Sequence, residues 1–328
     1  MTAPPPSPLG LADPAAHWRI DALELDAYLR RVGHGGPTAS NGTTLRNLHR
    51  AHIAAITFEN LDVMLGRGVE VDLPRVQDKL VHAGRGGYCY EHGVLFGAVL
   101  QRLGYRVDRL LARTGDPAEQ PRPRSHLVLR VDDGDQVWLA DVGFGSGLLE
   151  PLPLVEGDPQ RQGAWEYQLR RGVDGAWRLR ERTTDTWTTL LTFTEEPQYP
   201  VDVEVANQNT ATSPHSPFTQ QCVVVRKDDM AVRRLIGRDY SEDRPGTATR
   251  TRSLTDEEYG AVLGAEFGLA LSPPEIRALV ATLPPAWRGP PHLTRPGTQT
   301  ADRRPRCVTP IPSPSSPLAS APTASARG

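Results

Sequence analysis

Arg85-Gly86-Gly87-Tyr88-Cys89-Tyr90-Glu91 leads directly into an amphipathic run. Val94, Leu95, Ala98, Val99 and Leu103 recur with a 3.6-residue period, and Gly104 stands where a helix would stop. The spacing predicts a helix over 91–103 with Cys89 at or near its N-terminus. Unpaired N–H groups and the helix dipole favour a thiolate over a thiol there. Gly86 and Gly87 suit a tight turn into that position. This is the mounting that a nucleophilic cysteine needs.

Upstream, the pattern is mostly helical. Leu25, Tyr28, Leu29 and Val32 mark a first amphipathic helix ending at Gly33, and 35–42 reads as loop. Thr43 or Thr44 is placed to cap a second helix, with Leu45, Leu48, His52 and Ile53 on its packing face and His49 toward solvent. A short helix is expected over 74–83. Downstream, the character switches to strands. Residues 105–112, 126–131 and 136–142 read as strands, the last two joined by a turn at 132–135 that contains Gly134. Residues 166–170 and 177–181 form another hairpin, and 188–194, 221–226 and 231–236 follow as strands. Helices return over 255–267 and 274–283. Helices, then antiparallel strands, then helices make an α+β chain rather than a βαβ array.

Composition removes several function classes. The 37 basic and 39 acidic side chains are interspersed, for a net charge of −2, which leaves no footprint for nucleic acid. No apolar run reaches the length of a membrane span, so a soluble protein with no membrane partner is expected. Residues 1–16 are rich in Pro and Ala and lack the basic start and apolar core of a secretory signal. Cys89, Cys222 and Cys307 lie far apart, a sparse and odd set that fits the reducing cytoplasm. No histidine pair is joined by an acid or cysteine cluster, so no metal site is expected. From 285 onward Pro, Ser, Ala, Thr and Arg dominate, a composition too polar to repay its ordering entropy. That segment reads as a disordered tail, and nothing in the chain specifies an oligomeric state.

An active thiol needs a base, and the base needs an orienting group. His126 opens one strand of the predicted hairpin and Asp141 closes the other, so the turn at 132–135 brings them side by side. Taken singly, each residue has an ordinary structural reading: a small buried hydrophobe for the cysteine, a strand-end histidine, a turn aspartate. The hairpin is what joins two of them into a base and its orienter. If its open end faces the start of the cysteine helix, Cys89, His126 and Asp141 form a triad. His82 and His92 compete for the role of base, but His92 shares the helix with Cys89 and is poorly aimed at a common substrate. Cys222, in an apolar strand, reads as packing.

These residues resemble the arylamine N-acetyltransferase family. The likeness rests on the cysteine motif at 85–91, on Ser125-His126, and on Asp141-Val142-Gly143-Phe144-Gly145. Phe58-Glu59-Asn60-Leu61 and Ser213-Pro214-His215-Ser216-Pro217-Phe218 add to it. It implies catalytic Cys89, His126 and Asp141 in a papain-like cysteine-triad arrangement. It implies a flexible leader at 1–16, a helical domain at 17–104, an antiparallel β-barrel-like domain at 105–205, an α/β lid at 206–284, and a tail at 285–328. Acetyl-CoA would be the acyl donor, with no permanently bound cofactor. The acceptor would be an arylamine, arylhydroxylamine or hydrazine. Phe58, Phe144, Gly145 and Phe218 would contact substrate, and Glu59 and Arg85 would form an ion pair near the thiol. Thr57, Ser125 and Gly93 depart from the family pattern of proline, threonine and asparagine at those places. The rival readings are an amide synthase of the same fold that closes a macrolactam, a papain-type hydrolase, and a non-catalytic binding module.

Overall fold

A computed structural model describes residues 17–183 and 186–283. The expected leader, the tail from 285 and Cys307 lie outside the described residues. In the helical third, α1 (Leu25–Val32) buries Tyr28 and Val32 and ends on Gly33, whose φ of 69° needs no Cβ penalty. α2 (Gly42–Ala55) is capped by Asn41, whose Oδ1 accepts from the Thr44 N–H at 3.0 Å; the expected threonine caps lie inside the helix. The short β1 (Phe58–Glu59) and α3 (Leu61–Met64) precede α4 (Leu73–Gln77), which runs on as a π-helical turn, Asp78–His82. α5 (Cys89–Arg102) starts two residues before the amphipathic pattern does, and it is buried on every side from Cys89 to Leu100.

Eight strands follow: β2 (Arg106–Thr114), β3 (Arg124–Asp132), β4 (Val137–Ala140), β5 (Leu152–Pro153), β6 (Gln160–Gln162), β7 (Trp165–Arg171), β8 (Trp177–Thr183) and β9 (Thr186–Pro197). All pair antiparallel, in the order β5-β4-β3-β2-β9-β8-β7-β6, a strongly curved barrel-like sheet. Strand alternation explains its place in the fold. In β3, Leu127, Leu129 and Val131 join the core built on α5, while Val128 points the other way into a second core with Leu110, Leu139 and Leu179. Both faces are therefore buried. The predicted hairpin is present in register, with Leu129 opposite Ala140 and Asp132 opposite Val137.

The last part comprises α6 (Pro200–Thr212), α7 (Pro217–Gln220), β10 (Val223–Lys227), β11 (Val232–Ile236), β12 (Asp239–Asp243), β13 (Arg250–Ser253), α8 (Asp256–Phe267) and α9 (Pro273–Thr282). The reading from sequence lacked α6, α7, β12 and β13, and the expected boundary at 205/206 falls inside α6. A third apolar cluster packs α8 and α9 on the sheet through Val224, Leu235, Tyr259, Leu263 and Leu279. β1 reaches across from the helical third to form the edge of that sheet, Phe58 lying opposite Val225. Lys227 adds a polar bolt. Its buried Nζ donates to Glu181 Oε1 (2.8 Å), Tyr167 Oη (2.5 Å) and the Ser146 carbonyl (2.9 Å), joining β10 to the eight-stranded sheet.

Candidate active site

Cys89 is the first residue of α5 and is buried. Glu91 closes the helix start by accepting the Tyr88 N–H at 3.0 Å. Behind it lies a chain of charge: Lys79 donates to Glu91 and Asp62 at 2.8 Å each, and Arg85 reaches Glu59 at 3.0 Å and Asp62 at 3.3 Å. Burial pushes the Glu91 carboxyl up to about 7, with Lys79 opposing. The expected Glu59–Arg85 pair is present, and Glu59 is fully buried, so the pair belongs to the interior rather than the surface. The two glycines are steric necessities. A Cβ at Gly86 would lie 2.1 Å from the Thr57 carbonyl oxygen, and one at Gly87 would lie 2.6 Å from the Glu91 carboxylate.

Opposite the helix start, β3 delivers His126 and the end of β4 delivers Asp141, both buried. His126 Nε2 lies 2.9 Å from Asp141 Oδ2, as the hairpin register requires. That bond leaves Nδ1 for Cys89. Burial works against charge on the imidazole, yet the Asp141 carboxylate and the hydrogen bond with the Cys89 sulfur outweigh it and raise the ring to about 10. The Cys89 thiol also approaches the Ser125 carbonyl, at 3.7 Å. Asp141 is held by two further contacts: its Oδ1 accepts the Gly143 N–H at 3.0 Å, and its own N–H donates to His49 Nε2 at 3.2 Å. Gly143 brings hairpin and helix together. A Cβ there would meet Cys89 Cα at 2.9 Å and Cys89 O at 3.0 Å, so only glycine lets the two backbones touch. Spacing in the sequence carried no sign of this contact.

His49 is buried rather than solvent-facing, and donates through Nδ1 to the Leu149 carbonyl at 3.0 Å. Its place on α2 was legible, since 45, 48, 49 and 52 are spaced i, i+3, i+4, i+7. Burial lowers it to about 4, despite the Leu149 bond. His92 does not face the thiol's substrate side. Its Nε2 donates to the Gly87 carbonyl at 3.0 Å, which leaves Nδ1 to accept from His52 Nε2 at 2.8 Å; His52 Nδ1 in turn accepts from Tyr28 Oη at 2.9 Å. The tautomers are thus fixed in series, with every ring neutral. His82 lies away from the thiol, half-exposed beside Glu24 at 3.3 Å.

A cavity of about 710 Å³ opens above the sulfur and is lined by Phe58, Phe144 and Phe218 as well as by Cys89 and His126. Phe144 and the His126 ring stand nearly perpendicular, with centroids 5.3 Å apart, and Phe58 and Phe218 are 5.9 Å apart. Gly145 is set apart from the three phenylalanines. It does not line this cavity but lies behind Phe58, where a Cβ would meet the ring at 2.9 Å. Asn209 and Thr210 of α6 form part of the wall. That helix is moored to both neighbours of the cysteine, Tyr88 Oη donating to Asn207 Oδ1 and Tyr90 Oη lying 3.2 Å from Thr210 Oγ1. Thr57 uses its hydroxyl, donating to the Phe267 carbonyl at 2.6 Å. Gly93 clears space for Leu127, whose Cδ2 would lie 2.6 Å from a Cβ.

Residues 43–276 match the family model described as N-acetyltransferase. The arylamine N-acetyltransferase of Mycobacterium tuberculosis is 36% identical over 256 residues, covering 76% of this chain and 90% of that protein. The chain belongs to the arylamine N-acetyltransferase family. Among solved structures of that family, the Mycobacterium abscessus enzyme superposes with a TM-score of 0.78 at 38% identity, covering 83% of this chain and 99% of its own. The Mycobacterium marinum arylamine N-acetyltransferase, solved in complex with CoA, has a TM-score of 0.73 at 33% identity and covers 79% and 99%. Membership makes this protein an acyltransferase, of α+β architecture like its relatives. Among the described residues no helix is long and apolar enough to cross a membrane.

Proposed function

We propose that the protein moves an acetyl group from acetyl-CoA to an arylamine, arylhydroxylamine or hydrazine, in two half-reactions through an acetyl-Cys89 thioester. One observation carries the proposal: a buried imidazole bonded to Asp141 at 2.9 Å and to the Cys89 sulfur, at the floor of a 710 Å³ cavity. His126 takes the thiol proton and is kept charged by Asp141. The Cys89 thiolate attacks the acetyl carbon of acetyl-CoA, the carbon–sulfur bond to CoA breaks, and CoA leaves with a proton from His126. Exchange of one thioester for another is nearly balanced in energy, so the acetyl group is stored without a deep trap. The amine then attacks acetyl-Cys89, His126 accepts its proton, and the thiolate departs. N–H groups at the start of α5 suit the developing oxyanion. The three phenylalanines keep the pocket apolar, which disfavours water as a competing acceptor. The CoA complex of the Mycobacterium marinum relative supports the choice of donor. The division into a helical part to 104, a barrel-like part and an α/β lid belongs to the same proposal, with the thiol at the junction of the first two.

Mass spectrometry after incubation with acetyl-CoA tests the reading. One acetyl group on the peptide containing Cys89 is expected, discharged by adding a simple aniline with release of one CoA thiol per turnover. A Cys89→Ala protein that still acetylates aniline would overturn it. Acyl transfer from other thioesters with none from acetyl-CoA would favour the amide synthase.

A further inference from the structure

The cavity over Cys89 has a buried floor and an exposed rim. Cys89, His126 and Gly143 are buried, whereas Gln120, Arg122 and His215 are exposed. Among the described lining residues Arg122 is the single Arg or Lys, and none is Asp or Glu. Its guanidinium donates to two neutral acceptors, Gln120 Oε1 at 3.0 Å and Thr114 Oγ1 at 3.3 Å, and among the described residues it forms no ion pair. Two charges close by in the sequence are committed elsewhere, Asp116 to Arg178 at 3.0 Å and Arg124 to Glu196 at 3.1 Å, while Glu119 stands exposed in the same loop. Arg113 donates to the Arg122 carbonyl and so pins the backbone that presents the guanidinium.

We propose that Arg122 binds the phosphate groups of the acyl donor and thereby selects a phosphorylated thioester over a bare one. The inference rests on the acyl-transfer reading above. A CoA thioester reacts at one end of a long neutral arm and carries its phosphates at the other. With the thioester carbon at the Cys89 sulfur on the floor, the arm runs up the cavity and its anionic end emerges at the rim. An uncompensated guanidinium there meets phosphate with two parallel N–H donors. The apolar floor and the single rim cation divide the labour between reaction and recognition.

Two acetyl donors separate recognition from chemistry: acetyl-CoA, and p-nitrophenyl acetate, which carries the same acetyl group and no phosphate. For Arg122→Ala the ratio of kcat/KM for acetyl-CoA to that for p-nitrophenyl acetate should fall about tenfold, the loss of one charge-assisted hydrogen-bonded contact. Most of it should appear in KM for acetyl-CoA. Arg122→Lys should recover part of the ratio. Acylation by p-nitrophenyl acetate also reports that each variant is folded. An unchanged ratio in Arg122→Ala, with acetyl-CoA still acylating Cys89, would remove the assignment of Arg122 alone. Failure of acetyl-CoA to acylate Cys89 in the unsubstituted protein would remove the acyl-transfer reading and this inference with it.

Discussion

His52 Nε2 lies 2.8 Å from His92 Nδ1, with both rings buried in the core. Two imidazoles that close cannot both be charged. Burial, and for His52 also the neighbouring His92, holds both below the ordinary histidine value, His92 at about 4. His49 is lowered to about 4 as well, chiefly by burial. The unfolded chain therefore binds more protons than the folded one as pH falls from about 6.5 toward 4. Glu91, raised to about 7 mainly by burial, works in the opposite sense but offsets only one of the three rings. Stability should decline on the acid side of pH 6.5, by roughly 3 kcal/mol or less for each of His49 and His92, with His52 acting in the same direction. His126, raised to about 10 by Asp141 and the Cys89 sulfur against burial, gives stability that is complete below its unfolded value and lost as pH climbs through 10. Urea midpoints should rise with pH between 4.5 and 6.5; midpoints that stay flat or fall as pH rises across that window contradict the neutral chain.

The closeness of Gly143 to Cys89 Cα makes Gly143→Ala a probe of placement. The added methyl has to displace backbone, at a cost of about 1–3 kcal/mol in stability. Shifting the hairpin from the helix should also cost on the order of 10²-fold in acetyl transfer. Thermal melts and steady-state rates on the same preparation check both.

Asp141→Asn keeps the shape of the site and removes the charge that outweighs burial at His126. The imidazolium then loses its support, and so does any thiolate paired with it. Alkylation of Cys89 by iodoacetamide at pH 7 should slow by on the order of 10²-fold, and acetyl transfer by at least as much. Unaltered alkylation would mean that the carboxylate does not act through the ring.

Lys227 is buried, and burial lowers it to about 8 despite Glu181. Lys227→Ala strands the Glu181 carboxylate and the Tyr167 hydroxyl and should cost about 3 kcal/mol; Lys227→Met, which refills the volume, should cost less. Denaturant unfolding of the two variants distinguishes them.

Apolar spacing carried the sequence reading wherever burial is apolar. α5 and the β3–β4 hairpin were legible because their inward residues recur at 3.6 and at 2. α6 was not, because its inward face is polar: Asn207 and Thr210 meet tyrosine hydroxyls, and its valines divide between inside (Val203) and outside (Val201, Val205). β12 and β13, Asp239–Asp243 and Arg250–Ser253, are polar and lie toward the sheet edge, so no alternation marks them. The pairing of His126 with Asp141 followed from turn geometry alone. The meeting of that pair with Cys89 did not, since it depends on a side chain that glycine lacks.

Tyr88 and Tyr90 hold partners 119 and 120 positions further along the chain, and β1 finds its neighbouring strand at Val225. During synthesis, the ribosome therefore finishes Cys89, His126 and Asp141 long before the cysteine's moorings exist. A nascent or truncated chain ending near residue 197 would own Cys89, His126 and Asp141 yet lack the α6 and β10 contacts that hold the cysteine's neighbours, which come only when almost the whole chain has been made.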